Sequence, residues 1–172
     1  MKNLELKAHC PDVEQVVRIV ESLGIEKEWT HHQVDTYFKI PAGKLKLREV
    51  DGEAAELIYY QRPNEKGTKI SDYSLFQTHS GESLKRLLVL ALQIDLVVEK
   101  SRTLYLWKNV RIHLDKVLGL GNFIEFEAVL SENAGHEESE DRIQFLRKRL
   151  QVIDGYLIAD GYYELLKMAE IG

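Results

Sequence analysis

From residue 2 onward, apolar and polar positions alternate. Leu4 and Leu6 share one face of residues 2–9, with Asn3, Glu5 and Lys7 on the other, the period of a half-buried strand. The pattern then changes. Pro11-Asp12 precedes Val13, Val16, Val17, Val20 and Leu23, spaced for one face of a helix that Gly24 ends. Residues 29–40 are rich in β-branched and aromatic side chains and predict a long strand. Pro41-Ala42-Gly43 turns into the segment KLKLRE, residues 44–49, and Asp51-Gly52 is a hairpin signal before AELIYYQRP. Residues 63–67 predict a turn, followed by a strand ending near Thr78. Ser80-Gly81-Glu82-Ser83 opens a second helix carrying Leu84, Leu87, Leu88 and Ala91. Three further strands are predicted at about 96–107, 110–118 and 123–130. The acidic stretch 131–141 reads as a solvated loop or helix start, Ile143, Leu146 and Leu150 predict a third helix, and 158–168 a short terminal one. No repeat or linker divides the chain, so 1–172 reads as one domain.

The KLKLRE segment puts Lys44, Lys46 and Arg48 on one face and Leu45 and Leu47 on the other. The same division recurs. Tyr60 shares a face with Arg62, Lys100 with Arg102, and Arg111 with His113 and Asp115. Glu125 shares one with Glu127, opposite Ile124 and Phe126. Two architectures fit several such strands: an open sheet with one wet face, or a closed barrel. In a barrel whose outer wall is covered by helices, the charged set would line the interior.

Composition narrows the function. The formal net charge is −5, with 30 % charged and 44 % apolar residues, which argues against a generally basic nucleic-acid surface and makes any anion site local. The single cysteine, Cys10, excludes an intrachain disulfide or cysteine-based zinc site. No apolar run reaches the ~20 residues needed to span a bilayer, and the first ten residues lack a signal-peptide core. The expectation is a cytoplasmic protein without a membrane partner.

A lumen lined by lysine and arginine is stabilised by a polyanion. Arginine offers bidentate forks to phosphate oxygens and lysine offers point charges. Carboxylates suit a hard cation, and Mg²⁺ commonly combines one or two carboxylates with substrate phosphates. Triphosphate plus metal is the guest this lining suits.

The opening NLELK, the strand KLKLRE, the pair Lys100 and Arg102, the segment RIHLD from Arg111 to Asp115 and the segment IEFE from Ile124 to Glu127 follow in this order. The ordered set resembles the CYTH superfamily, the triphosphate tunnel metalloenzymes, and most of all its class IV adenylyl cyclase-like branch. The resemblance implies an α+β fold: a closed eight-stranded antiparallel β-barrel, or tunnel, with helices packed outside. It implies triphosphate binding by Lys7, Lys44, Lys46, Arg48, Arg62, Lys100, Arg102 and Arg111, and Mg²⁺ or Mn²⁺ on Glu5, Glu125 and Glu127. Asp115 corresponds to the acidic residue near the reacting phosphate, and Lys100 and Arg102 join it as catalytic candidates. Implied activities are cyclisation of ATP to cyclic AMP and pyrophosphate, or hydrolysis of thiamine or inorganic triphosphate. A non-catalytic triphosphate binder is a third reading, and a homodimer is implied as well. Two departures stand out: Asn3 replaces the family's first glutamate, and Arg62 stands where a fourth-strand lysine belongs.

Other candidates read as structural. His113 lies on the charged face as a polar lining residue. His31 and His32 point to opposite faces of a strand and cannot chelate together. Gly119-Leu120-Gly121 predicts a hairpin bend. Tyr37, Phe38, Tyr59 and Tyr60 are strand-packing aromatics that could also stack on a base.

Overall fold

The computed structural model describes residues 2–61 and 66–171. Eight strands, β1 (Lys2–His9), β2 (Lys27–Phe38), β3 (Lys44–Val50), β4 (Ala55–Gln61), β5 (Lys69–Thr78), β6 (Ile94–Trp107), β7 (Val110–Val117) and β8 (Gly121–Val129), close into a barrel in the order β1-β5-β4-β3-β2-β6-β7-β8. Every pairing is antiparallel. Closure leaves no unpaired edge and creates an interior. Helices α1 (Val13–Ser22), α2 (Gly81–Leu92), α3 (His136–Arg149) and α4 (Tyr162–Ile171) lie outside the sheet.

The core is on the outside of the barrel. Leu4, Leu6 and Ala8 of β1 join Ile112 and Leu114 of β7 and Ile124 and Phe126 of β8. Val16 and Val20 of α1 and Ile143 and Leu146 of α3 cover them. A second outer cluster seats Leu88 of α2 on Phe38, Leu47 and Ala55. The alternation of β1, β3, β7 and β8 has this meaning: leucines and isoleucines outward under helices, charges inward.

One stretch of the interior departs from a wholly charged lumen. Tyr37, Leu96, Val98, Val117 and Phe123 point inward at one end and pack against Ile158 and Tyr162. The barrel is therefore apolar at the end covered by α4 and charged beyond it. Period 2 identifies a residue's face but not its height along the axis, so the apolar inward positions were not separable from the charged ones by alternation.

Element ends also shift for local reasons. The acidic stretch before Ile143 belongs to α3, which starts at His136 and carries Glu137 and Glu138 in its first turn and Arg147, Lys148 and Arg149 in its last, the order the helix dipole favours. The last helix begins at Tyr162, where the Gly161 N–H donates to the Glu164 carboxylate at 3.0 Å. Gly119 and Gly121 flank the β7–β8 turn with φ of +80° and +99°, a backbone open to glycine and strained for other residues.

Phe126 is fully buried in the outer core. Replacing Phe126 with Ala is expected to lower the unfolding free energy by about 3–5 kcal/mol, read by urea denaturation; a negligible change would show that the outer wall is not the core.

Candidate functional site

Cross-strand register builds the site. Asp35 of β2 sits directly across from Arg48 of β3, and Asp115 of β7 directly across from Arg102 of β6. Asp35 accepts from Lys46 Nζ at 2.8 Å and from Arg48 Nε and Nη2 at 2.9 and 3.0 Å. Asp115 accepts from Arg102 Nε and Nη2 at 2.7 and 2.6 Å and from the Tyr162 hydroxyl at 2.6 Å, with Lys100 Nζ 3.9 Å away. Glu125 Oε2 lies 3.0 Å from Lys7 Nζ and 3.5 Å from Arg102 Nη2, and Glu127 Oε1 accepts from Arg111 Nη1 at 2.9 Å.

These pairs enclose a cavity of about 420 Å³. Lys7, Lys46, Arg48, Lys100, Arg102 and Arg111 line it, and Glu5, Asp35, Glu56, Glu125 and Glu127 interleave with them. At the α4 end three lysines stand over tyrosine rings: Lys7 Nζ 3.9 Å and Lys100 Nζ 5.1 Å from the Tyr162 centroid, and Lys46 Nζ 5.6 Å from both Tyr37 and Tyr60. At the opposite end a second cavity is lined by Trp29, His31, Val50, Glu53 and Leu104. It shares Arg48, Arg102, Arg111 and Glu127 with the first, so the two are continuous.

Burial and charge oppose each other throughout. Burial pushes the carboxyl of Asp35 up, but Arg48, Lys46 and Lys100 together outweigh it and hold the group well below the usual carboxylate range. Asp115 is lowered in the same way, its burial outweighed by Arg102 and Lys100. Burial lowers Lys46 to about 8, with the charge of Asp35 opposing it. Burial, then Arg102, pushes Lys100 well below the usual lysine range. Burial and the nearby Asp115 raise Tyr162, so its hydroxyl stays a donor.

Oxygen and nitrogen donors for a cation gather on one wall. Carboxylate oxygens of Glu125 and Glu127 and a ring nitrogen of His113 lie within 4.8 Å of one another. Glu5 faces Glu127 directly across β1 and β8. Asn3 Oδ1 is buried without a hydrogen-bond partner. An acceptor-rich wall with an orphaned amide oxygen fits a hard divalent ion.

A family model described as the CYTH domain matches residues 1–162. The chain belongs to the CYTH family. Among solved structures, this CYTH chain is similar to PH1012 from Pyrococcus horikoshii OT3, at 24 % identity and TM-score 0.81, covering 95 % of this chain and 98 % of that one. A candidate adenylate cyclase from Vibrio parahaemolyticus follows at 18 % identity and TM-score 0.81, covering 96 % and 97 %. HpAC1 from Hippeastrum, a candidate adenylyl cyclase described with a dominant triphosphatase activity, follows at 14 % and TM-score 0.65, covering 97 % and 96 %. At these identities the likeness is one of fold. No curated protein sequence matches the chain.

Of the site residues the sequence proposed for this CYTH domain, nine line the cavity: Glu5, Lys7, Lys46, Arg48, Lys100, Arg102, Arg111, Glu125 and Glu127. Asp115 sits behind Arg102, 2 % exposed, and pairs with Arg102 and, at 3.9 Å, Lys100, whereas Arg111 pairs with Glu127. Lys44 faces the covered end. Its Nζ lies 3.6 Å from the Tyr163 ring centroid and 3.7 Å from Glu164, and it does not line the cavity with the other proposed cations. Arg62 lies outside the described residues. His31 lines the far mouth, stacked on Trp29 at 4.4 Å, while His32 faces outward and meets Glu99 at 2.8 Å.

Asp35, Glu56, Lys69 and Tyr162 escaped the sequence reading. The alternation Gln33, Asp35, Tyr37 carried the signal for Asp35. Lys69, buried opposite Glu5 and donating to the Ala159 carbonyl, follows a turn that hides its parity. Tyr162 reaches Asp115 only through the docking of α4, which no local pattern encodes.

Replacing Asp35 with Asn strands two buried cations and is expected to cost roughly 3–5 kcal/mol by urea denaturation. Because the folded-state pKa of Asp35 is depressed, its contribution is present above the ordinary carboxyl range and lost as pH falls through the folded value. The variant's stability should therefore fall less on acidification than the parent's; parallel acid limbs would contradict this role.

Proposed function

We propose that this CYTH protein is a metal-dependent phosphoryl-transfer enzyme that takes a triphosphate into the tunnel tail first and reacts at its inner phosphorus. The favoured reaction is that of a class IV adenylyl cyclase, ATP to cyclic AMP and pyrophosphate. One observation carries the choice of phosphorus. The lysines Lys7, Lys46 and Lys100 lie at the end covered by α4, whereas His113 and Glu127 line the cavity toward the other mouth. A triphosphate entering from that mouth would leave its terminal phosphates among the lysines and its α-phosphate beside Glu127, with Glu125, 3.0 Å from Lys7, between the two.

Lys46 and Lys100 then hold the leaving pyrophosphate, and Arg48, Arg102 and Arg111 hold the inner phosphates by forked hydrogen bonds. The ribose 3′-hydroxyl oxygen bonds to the α-phosphorus as the bridging P–O bond breaks; pyrophosphate departs with that bond's electrons, and the hydroxyl proton passes to solvent water. Glu125 and Glu127, with Glu5 beside them, would hold Mg²⁺ or Mn²⁺, which supplies charge to offset that developing on phosphate oxygens. Asp115 already accepts three hydrogen bonds and is kept ionised by Arg102 and Lys100. We assign it to positioning Arg102 rather than to proton abstraction. Catalysis in this scheme is orientation and charge stabilisation.

Triphosphate hydrolysis is the second reading. The lysine-rich covered end that favours binding of a leaving pyrophosphate would equally hold a terminal phosphate under attack by water, and the Hippeastrum neighbour is described with that activity. Incubation with ATP, thiamine triphosphate or tripolyphosphate plus Mg²⁺ or Mn²⁺ separates the outcomes. Cyclic AMP with pyrophosphate is expected. Orthophosphate would establish the second reading, and tight binding without products would make the protein a binder.

Triphosphate binding should also take up protons. Burial lowers the ammonium of Lys46 to about 8, and a phosphate beside it favours the charged form. Calorimetry at pH 8 in two buffers of different ionisation enthalpy should show net uptake, reduced in Lys46→Met; identical heats in both buffers would refute the contact.

A further inference from the structure

We propose that His113 is a metal ligand, and that its nitrogen gives the tunnel a preference for a first-row transition ion over Mg²⁺, with Mn²⁺ as the paramagnetic probe. The inference rests on the functional reading only in placing a divalent ion on Glu125 and Glu127. His113 lies on β7 directly across from Glu125 of β8, one position along the same face from Arg111, which faces Glu127. A ring nitrogen of His113 and one oxygen of each glutamate fall within 4.8 Å of one another. Two ligands bound about 2.1 Å from one ion stand roughly 3–4 Å apart, so modest side-chain rotation closes the set.

A second observation points to a ligand. His113 is 5 % exposed, and its Nδ1 is buried with no hydrogen-bond partner. A buried imidazole nitrogen left unpaired is costly, and a metal ion satisfies a nitrogen lone pair. The carboxylates have room for the same ion. Both salt bridges of Glu125 run through Oε2 and that of Glu127 through Oε1, which leaves the second oxygen of each free of ion pairs among the described residues.

Donor chemistry then sets the selectivity. A wall of oxygens alone suits Mg²⁺, which binds nitrogen poorly and demands near-ideal octahedral geometry. Imidazole shifts the set toward transition ions.

The test is pulsed electron paramagnetic resonance on the metal-free protein loaded with Mn²⁺ alone, without triphosphate. The wild type is expected to show modulation from a directly coordinated ¹⁴N nucleus, and His113→Gln to lose it. Calorimetric titration of the same two proteins should show the variant's Mn²⁺ affinity lowered about tenfold or more, the least that losing even a residue supporting a ligand commonly costs, with Mg²⁺ affinity near that of the wild type. Absence of ¹⁴N modulation in the wild type, its persistence in His113→Gln, or equal losses for both ions would overturn the assignment. The wild-type spectrum decides the first point even if the variant does not fold. Because no substrate is present, ¹⁴N coordination without triphosphate turnover would uphold this inference while ending the enzymatic reading.

Discussion

A carboxylate set between two cations is the interaction on which this barrel depends. Lys46 and Arg48 project from one strand to one side of the lumen, and Lys100 and Arg102 from another. Unpaired, each would face like charges in a poorly hydrated space. Asp35 and Asp115 resolve both groups, and the register of the sheet puts them there: each aspartate is the direct cross-strand neighbour of an arginine. The pairing is cheap in conformational entropy because the two backbones are already fixed by ladder hydrogen bonds. It also aims the arginines, which present one edge to the aspartate and keep the remaining N–H groups for a guest.

This arrangement forces the core elsewhere. A lumen given over to charge cannot supply the apolar burial that stabilises a chain of this size. The outer wall supplies it instead, under α1, α2 and α3, and α4 adds a smaller apolar contact at one end of the bore. The site and the stabilising core thus occupy opposite faces of the same strands. The lumen charges therefore lie apart from the outer packing, and a net charge of −5 coexists with six cations along the cavity, interleaved with carboxylates.

Alternation along β1, β3, β7 and β8 made the charged face legible, and with it most of the cavity lining. What alternation cannot carry is position along the barrel axis and identity across it. Lys44 shares parity with Lys46 and Arg48, yet it sits against Tyr163 and Glu164 because its height matches α4. Asp115 shares parity with Arg111, but strand register pairs it with Arg102. Asp35 was hidden in a strand whose aromatic and β-branched neighbours dominate its pattern. Tyr162 depends on a helix docking from more than forty residues away, the kind of contact that periodicity does not contain.

The lining has a further consequence for how a guest is accepted. Six cations and five carboxylates face the cavity, and Asp115 and Lys69, one of each sign, are buried beyond that lining. A triphosphate alone would meet carboxylates as well as cations, and a metal alone would meet cations as well as carboxylates. Under the proposed function they would exchange partners: the ion would draw Glu125 and Glu127, Lys7 and Arg111 would turn toward phosphate oxygens, and the phosphates would offset the charge of those side chains. Each guest removes the repulsion that opposes the other, so their affinities are coupled by the same factor in both directions. On that reading a near-neutral lumen favours taking up both together over either one, and the internal salt bridges would be placeholders for the bonds of the loaded tunnel.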